Sequence, residues 1–418
     1  MFKSEFIRNS AVLTSGNIAG QAVALLIYPL LSRLYSKEDF GIFALFMSLT
    51  GILNILATGK YEEAFLLTSD RKESSSLLNF SFRILSFVCL GIFIILLFWG
   101  ETCFTLLRMQ TLMPYWYCIP VFVFLSGFFI LLTYAANREK YYKVIASSNL
   151  FLNIITSALK IGCKYLATGV TGLISGQIAG QFFACFPFYK IKSNIKEALR
   201  SDWKNAKTTG IRYQTFPKFT MPRHLINSFS FNLPFFLLTG IFGEAKSGLF
   251  FLALTVFFRP INLISNSLYQ VFYENCARLK EDGGKISTKI NTYQKYCLLS
   301  ITPLFIITYI FSTILFKCVF GQEWEESGIY FRYILPWMFM VLLTAPMNFL
   351  PLLFNKQSKH MALEVVCFFV RYASLYIGIY YKNFDLSIIL FGATGFLFTL
   401  ISQIWYHSLI INYEKKIL

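Results

Sequence analysis

The sequence predicts an all-α integral membrane protein with about twelve transmembrane helices in two parallel six-helix lobes. Three observations predict it. Of 418 residues, 56% are hydrophobic and only 14% charged, whereas soluble domains carry about 25% charged residues, so most of the surface has to face hydrocarbon. Apolar windows of about 20 residues, the length that crosses a bilayer core of about 30 Å, recur along the whole chain. A segment near the start is repeated near the middle, in the same orientation.

The first window follows Lys3 and Arg8, as a signal peptide would, but it runs from Ala11 to about Leu34 and contains Asn17 and Gln21. It is too long and too polar for a cleaved signal and is read as a retained span, 11–34. Further spans are predicted over 40–59, 77–99, 115–135, 144–166 and 170–190, then 219–241, 247–271, 293–316, 329–354, 360–381 and 386–411. The longest gap, 191–218, holds no soluble domain. It divides the chain into an N-terminal lobe (1–190), a basic cytoplasmic linker (191–218) and a C-terminal lobe (219–418).

In the linker Ile191, Ile195, Leu199 and Trp203 alternate with Lys192, Lys196, Arg200 and Lys204 at helical spacing. That pattern fits an interfacial helix on the inner leaflet or a solvated basic loop. The division is supported by the repeat. Tyr28–Met47 aligns without gaps on Phe235–Leu254, with Leu30/Leu237, Leu31/Leu238, Gly41/Gly248, Phe43/Phe250 and Leu45/Leu252 identical. Six spans separate the copies, so the halves are parallel, as in many transporters.

The net charge of +17 does not imply nucleic acid, because the basic residues lie in short connections between apolar runs. Alternate connections hold 25 and 7 of the 38 Lys and Arg. By the positive-inside rule both termini lie in the cytoplasm. The nine cysteines form no C-x-x-C, and most fall within apolar runs, so neither disulfides nor a metal site is expected.

The remaining cations lie inside spans, where a charge costs about 2.5–3.5 kcal/mol or more and marks a functional candidate. Arg259, beside Pro260, and Arg371 fall near the middle of their spans; Lys160 and Arg83 lie closer to an interface, and Arg223 and Arg332 near span ends. Acids are fewer: Glu364 in the eleventh span, and Glu62 and Glu63 after the second. The surplus of cations points to an anionic cargo. Glu364 is either a proton-coupling group or an interfacial acid.

For an enzyme the signals are absent. His224, His360 and His407 form no ligand spacing, and the chain has neither a nucleotide-binding P-loop nor a G-x-S-x-G elbow. No catalytic residues and no cofactor are expected.

Three stretches carry a family resemblance: "PLLSRLYSKEDFGIFAL" within Asn17–Leu45, "GKYEEAFLL" over Gly59–Leu67, and Arg212–Tyr273 with its "FPKF", "NLP", "RPINLI" and "QVFY" segments. They resemble the polysaccharide-export branch of the multidrug/oligosaccharidyl-lipid/polysaccharide (MOP) superfamily, specifically Wzx-type O-antigen and capsule flippases. Beyond about residue 330 the resemblance rests on hydropathy.

The resemblance implies a MATE-like MOP flippase fold in the bacterial inner membrane. It also implies alternating access that moves an undecaprenyl-pyrophosphate-linked oligosaccharide from inner to outer leaflet. Arg259, Arg371, Lys160, Arg83 and Arg223 would then hold the pyrophosphate. An H+ or Na+ gradient, with Glu364 or Glu62 as the coupling group, would drive transport, with membrane lipids and other polysaccharide-assembly proteins as partners. The alternatives are a small-molecule or drug exporter of the same superfamily and a membrane-embedded glycan polymerase.

Overall fold

The structure, a computed structural model, describes residues 19–68, 70–166, 169–191 and 202–415. Among them the regular structure is helical, and ten helices are long and apolar enough to cross a membrane. Two further predicted spans are shorter helices: the apolar Ala19–Leu34 (α1) and Thr171–Phe183 (α6). The start of the first span, and linker residues 192–201, lie outside the described residues.

The chain packs as two units, Met1–Gly248 and Leu249–Leu418. The first holds α1, α2 (Lys37–Thr58), α3 (Arg71–Leu106), α4 (Cys118–Arg138), α5 (Tyr142–Leu166), α6, α7 (Trp203–Arg212), α8 (Met221–Phe242) and the first turn of α9 (Glu244–Glu281). The second holds the rest of α9, α10 (Ile286–Phe320), α11 (Glu325–Thr344), α12 (Gln357–Tyr380) and α13 (Phe384–Glu414).

Local chemistry sets the boundaries. Ser36 and Asp39 cap the start of α2 reciprocally: the Asp39 amide donates to Ser36 Oγ at 3.2 Å and the Ser36 amide to Asp39 Oδ2 at 3.1 Å. Gly59 ends α2 in the left-handed region at φ 58°, where glycine carries no Cβ penalty. Asp70 accepts from the Glu73 amide at 2.7 Å and opens α3, as Asn383 does for α13 through the Leu386 amide at 3.0 Å.

Several helices outrun their predicted spans. α3 has 36 residues, α9 38 and α10 35. Hydropathy detects only the apolar stretch, whereas the helix continues through polar residues such as Arg71–Ser76, whose propensities do not break it. Two spans end early instead. The span expected over 170–190 stops at Phe183 and continues as a 3-10 turn, Phe186–Ile191, around Pro187. That expected over 329–354 breaks after Thr344 into short turns at Pro346 and Pro351, where proline lacks the donor that a continuing helix needs.

Small residues set the tightest packing in the first unit. A β-carbon on Gly176 would lie 2.7 Å from the Lys160 amide nitrogen, and one on Gly180 would lie 2.6 Å from the Thr156 α-carbon. α5 and α6 therefore meet backbone to backbone, as small-residue motifs allow where lipid supplies no hydrophobic drive. α7 seats Ala206 and Gly210 on α3, its Trp203 stacked on Phe80 at 5.9 Å. The core of the second unit is aromatic: Trp337 meets Phe391 edge-on at 5.5 Å and Phe257 lies 4.3 Å from Phe331.

Candidate functional site

The candidate residues divide between the two units. In the first, Lys160 on α5 is 6% exposed. Its ammonium donates to Gln177 Oε1 at 2.6 Å and lies 4.4 Å over the Phe43 ring, while its backbone carbonyl accepts from Tyr35 Oη at 2.6 Å. The charge is thus held where α2, α5 and α6 meet. Arg83 on α3 is placed differently: its Nε donates to Asn79 Oδ1 at 2.7 Å and its guanidinium lies 4.8 Å from the Trp203 ring of α7. Arg223, near the start of α8, is half-buried.

Glu62 sits in the 3-10 turn Tyr61–Leu67 that follows α2 and is 1% exposed. Lys60 bridges it at 3.2 Å and its neighbour Glu63 at 3.4 Å, and His224 of α8 reaches Glu63 at 3.1 Å. Burial raises the Glu63 carboxyl, but contact with His224 and the charge of Lys60 outweigh it and hold the group below its ordinary value.

Next to this cluster is a cavity of about 260 Å³ lined by Thr50, Asn54, Thr58, Glu62, Phe122 and Ser126, among others. Asn54 Nδ2 donates to Ser126 Oγ. The remaining oxygens, Asn54 Oδ1 and Glu62 Oε2, are buried without a hydrogen-bond partner. Leaving acceptors so placed is costly unless a donor in the adjoining cavity meets them. Asn54 was open to detection, being a polar residue within an apolar span. The pairing with Ser126, 72 positions away, carried no such signal.

In the second unit Arg371 of α12 has its guanidinium 4.7 Å over Trp337 and 5.3 Å over Phe391. Two rings from α11 and α13 fix the plane of the cation. Glu364 lies two turns earlier on the same face, 3.9 Å from His360, whose ring contacts Tyr406 Oη at 3.2 Å. Arg259 is half-buried on α9 beside Pro260, which the helix accommodates. Arg332, placed by sequence near a span end, is bound to α10: its Nε donates to the Tyr309 carbonyl at 3.1 Å and Ser312 Oγ at 3.2 Å.

The aromatic partners of Arg371 were hidden in a chain with 47 Phe, where no single ring stands out.

Residues 30–328 match the family model for polysaccharide biosynthesis proteins. No curated protein matches the sequence. Among solved structures, the chain is similar to the lipid II flippase MurJ in an inward closed conformation, at TM-score 0.71 and 14% identity, covering 98% of this chain and 91% of that one. It is also similar to an inward-facing multidrug resistance MATE family transporter of the MOP superfamily (TM-score 0.67, 12% identity, 96% of each chain). A third is a MOP superfamily transporter from Pyrococcus furiosus (TM-score 0.61, 12% identity, 97% of this chain and 96% of that one). At these identities the likeness establishes the MOP fold.

Proposed function

Because the chain belongs to the polysaccharide biosynthesis protein family, we propose that it is a flippase carrying an undecaprenyl-pyrophosphate-linked oligosaccharide, an O-antigen or capsule repeat unit, from inner to outer leaflet. The observation that carries this reading is the family match over a chain whose spans hold more cations than acids. A pyrophosphate needs such cations, and arginine meets it with a two-pronged donor fork.

In this reading Arg259 and Arg371 hold the phosphates at mid-membrane. The rings around Arg371 orient its fork, and Lys160, Arg83 and Arg223 contribute field or hold helices in place. Glu62 and Glu364 are the candidates for ion coupling, by H+ or Na+. The chain lies in the inner membrane with both termini in the cytoplasm, and the two lobes of the repeat, 1–190 and 219–418, alternate access.

The test is a deletion strain complemented by variants, with surface glycan read by electrophoresis. Arg259→Gln, expressed at parental level, should lower surface glycan by about tenfold or more, the scale of one lost charge-assisted hydrogen bond. Undiminished glycan with Arg259→Gln and Arg371→Gln together would reject the phosphate assignment. The reading as a drug exporter predicts the converse: unchanged glycan in the deletion strain and drug resistance on overexpression.

A further inference from the structure

Gly41 and Gly248 occupy equivalent places in the internal repeat, 207 residues apart. They are also the fifth residues of α2 and α9, which begin at Lys37 and Glu244. A β-carbon on Gly41 would lie 2.0 Å from the Glu244 carbonyl oxygen and 2.7 Å from its carbonyl carbon. One on Gly248 would lie 1.8 Å from the Lys37 carbonyl oxygen and 2.8 Å from the Gly41 nitrogen. Each glycine therefore receives the first carbonyl of the other helix, a reciprocal contact that obeys the repeat.

Every obstructing atom is backbone, so no side-chain rotation can make room for a larger residue. The contact involves only first turns. Both follow tight connections, Tyr35–Ser36 before α2 and Gly243 before α9, at the same end of their helices. Beneath it Phe40 is 1% exposed, and Ser247, also 1% exposed, bonds Thr239 of α8 at 2.8 Å. The contact lies where α9 leaves the first unit, one residue before the division at Leu249.

We propose that this paired glycine-to-carbonyl contact is a clasp at the outer end of α2 and α9, closed in this structure, which parts and re-forms in each transport cycle. Its chemistry suits repeated parting. Two helix starts held by close backbone packing release no charge and expose no strong donor when they separate. Two copies of one repeated element meeting about a pseudo-twofold place both glycines under one constraint. The cycle and the sidedness rest on the transport reading above; the contact does not.

The clasp is tested with a Ser247→Cys reporter in sealed right-side-out vesicles, labelled by a membrane-impermeant maleimide. Gly41→Val and Gly248→Val should each raise the labelling rate by about tenfold, a modest population shift, and abolish glycan export in protein that remains monodisperse. Gly91→Val on α3, where an added β-carbon meets nothing within 4 Å, should change neither. Parental labelling and export in both clasp variants would overturn the proposal.

Should the valine variants fail to fold, Lys37→Cys with Glu244→Cys provides the second test. These residues start the two apposed turns, and a short bis-maleimide should join them and stop export. Export that persists after cross-linking, or two cysteines that label singly but never cross-link, would overturn it as well. If the parent chain supports no glycan export, the transport reading fails while labelling and cross-linking still decide the clasp.

Discussion

Lys160 is a buried cation and Arg371 a half-buried one, and their surroundings make different demands. Lys160 donates to a neutral acceptor, Gln177 Oε1, and lies over the Phe43 ring. Gln177→Leu should therefore destabilise the protein by about 1–3 kcal/mol, the scale of a hydrogen bond to a charged group, and Lys160→Met in the same chain should recover much of it. Thermal unfolding in detergent, run as a double-mutant cycle, measures the coupling; simple additivity would mean that the pair does not act as one. Arg371 depends on its planar shape. Arg371→Lys keeps the charge but loses stacking on Trp337 and Phe391, and should lower stability by about 0.5–2 kcal/mol. Glu63 adds a pH effect whose sign is fixed. Its carboxyl is held below the ordinary value, so its contribution is present at neutral pH and is lost as pH falls through the carboxylate range toward its folded value. Glu63→Gln should flatten the decline in unfolding temperature between neutral and acid buffer.

Among elements, the α5–α6 pair makes the sharpest structural prediction. Gly180→Val would force a side chain onto Thr156, at a cost of about 1–3 kcal/mol for overpacking. Gly162→Ala, where a β-carbon meets nothing within 4 Å, should be neutral or slightly stabilising. Unfolding midpoints of the two variants separate a packing requirement from a general intolerance of larger residues. The sequence exposed the existence of these helices because hydropathy is a one-dimensional property and survives without partners. It did not expose where α3, α9 and α10 end, since their terminal turns are polar and remain helical by propensity and packing. Nor did it expose why Gly180 is glycine. That reason is Thr156, across a turn and on another helix. The site divides in the same way: Arg259, Arg371, Lys160 and Glu62 were visible as charges in apolar surroundings, whereas Gln177, Trp337 and Ser126 became visible only when the chain was folded.

For the whole molecule, the charge tally has a consequence that no helix carries alone. With 25 basic residues in one set of connections and 7 in the other, the positive-inside rule has each basic connection favour the same side, so the proposed orientation does not depend on any one of them. Removing one connection's charge, as in Arg138→Gln with Lys140→Gln and Lys143→Gln, should leave the topology unchanged. Reporter fusions make this measurable. A fluorescent protein placed after Tyr413 should fold and fluoresce, and alkaline phosphatase inserted at Lys382, in a short turn of the sparse set, should be active. Activity at Lys382 shows that this turn is exported, which requires α12 and α13 to run as an antiparallel pair with Asn355 and Tyr413 both inside. The reverse pattern would place the Gly41–Gly248 contact on the cytoplasmic face, and a clasp there would gate cargo entry rather than release.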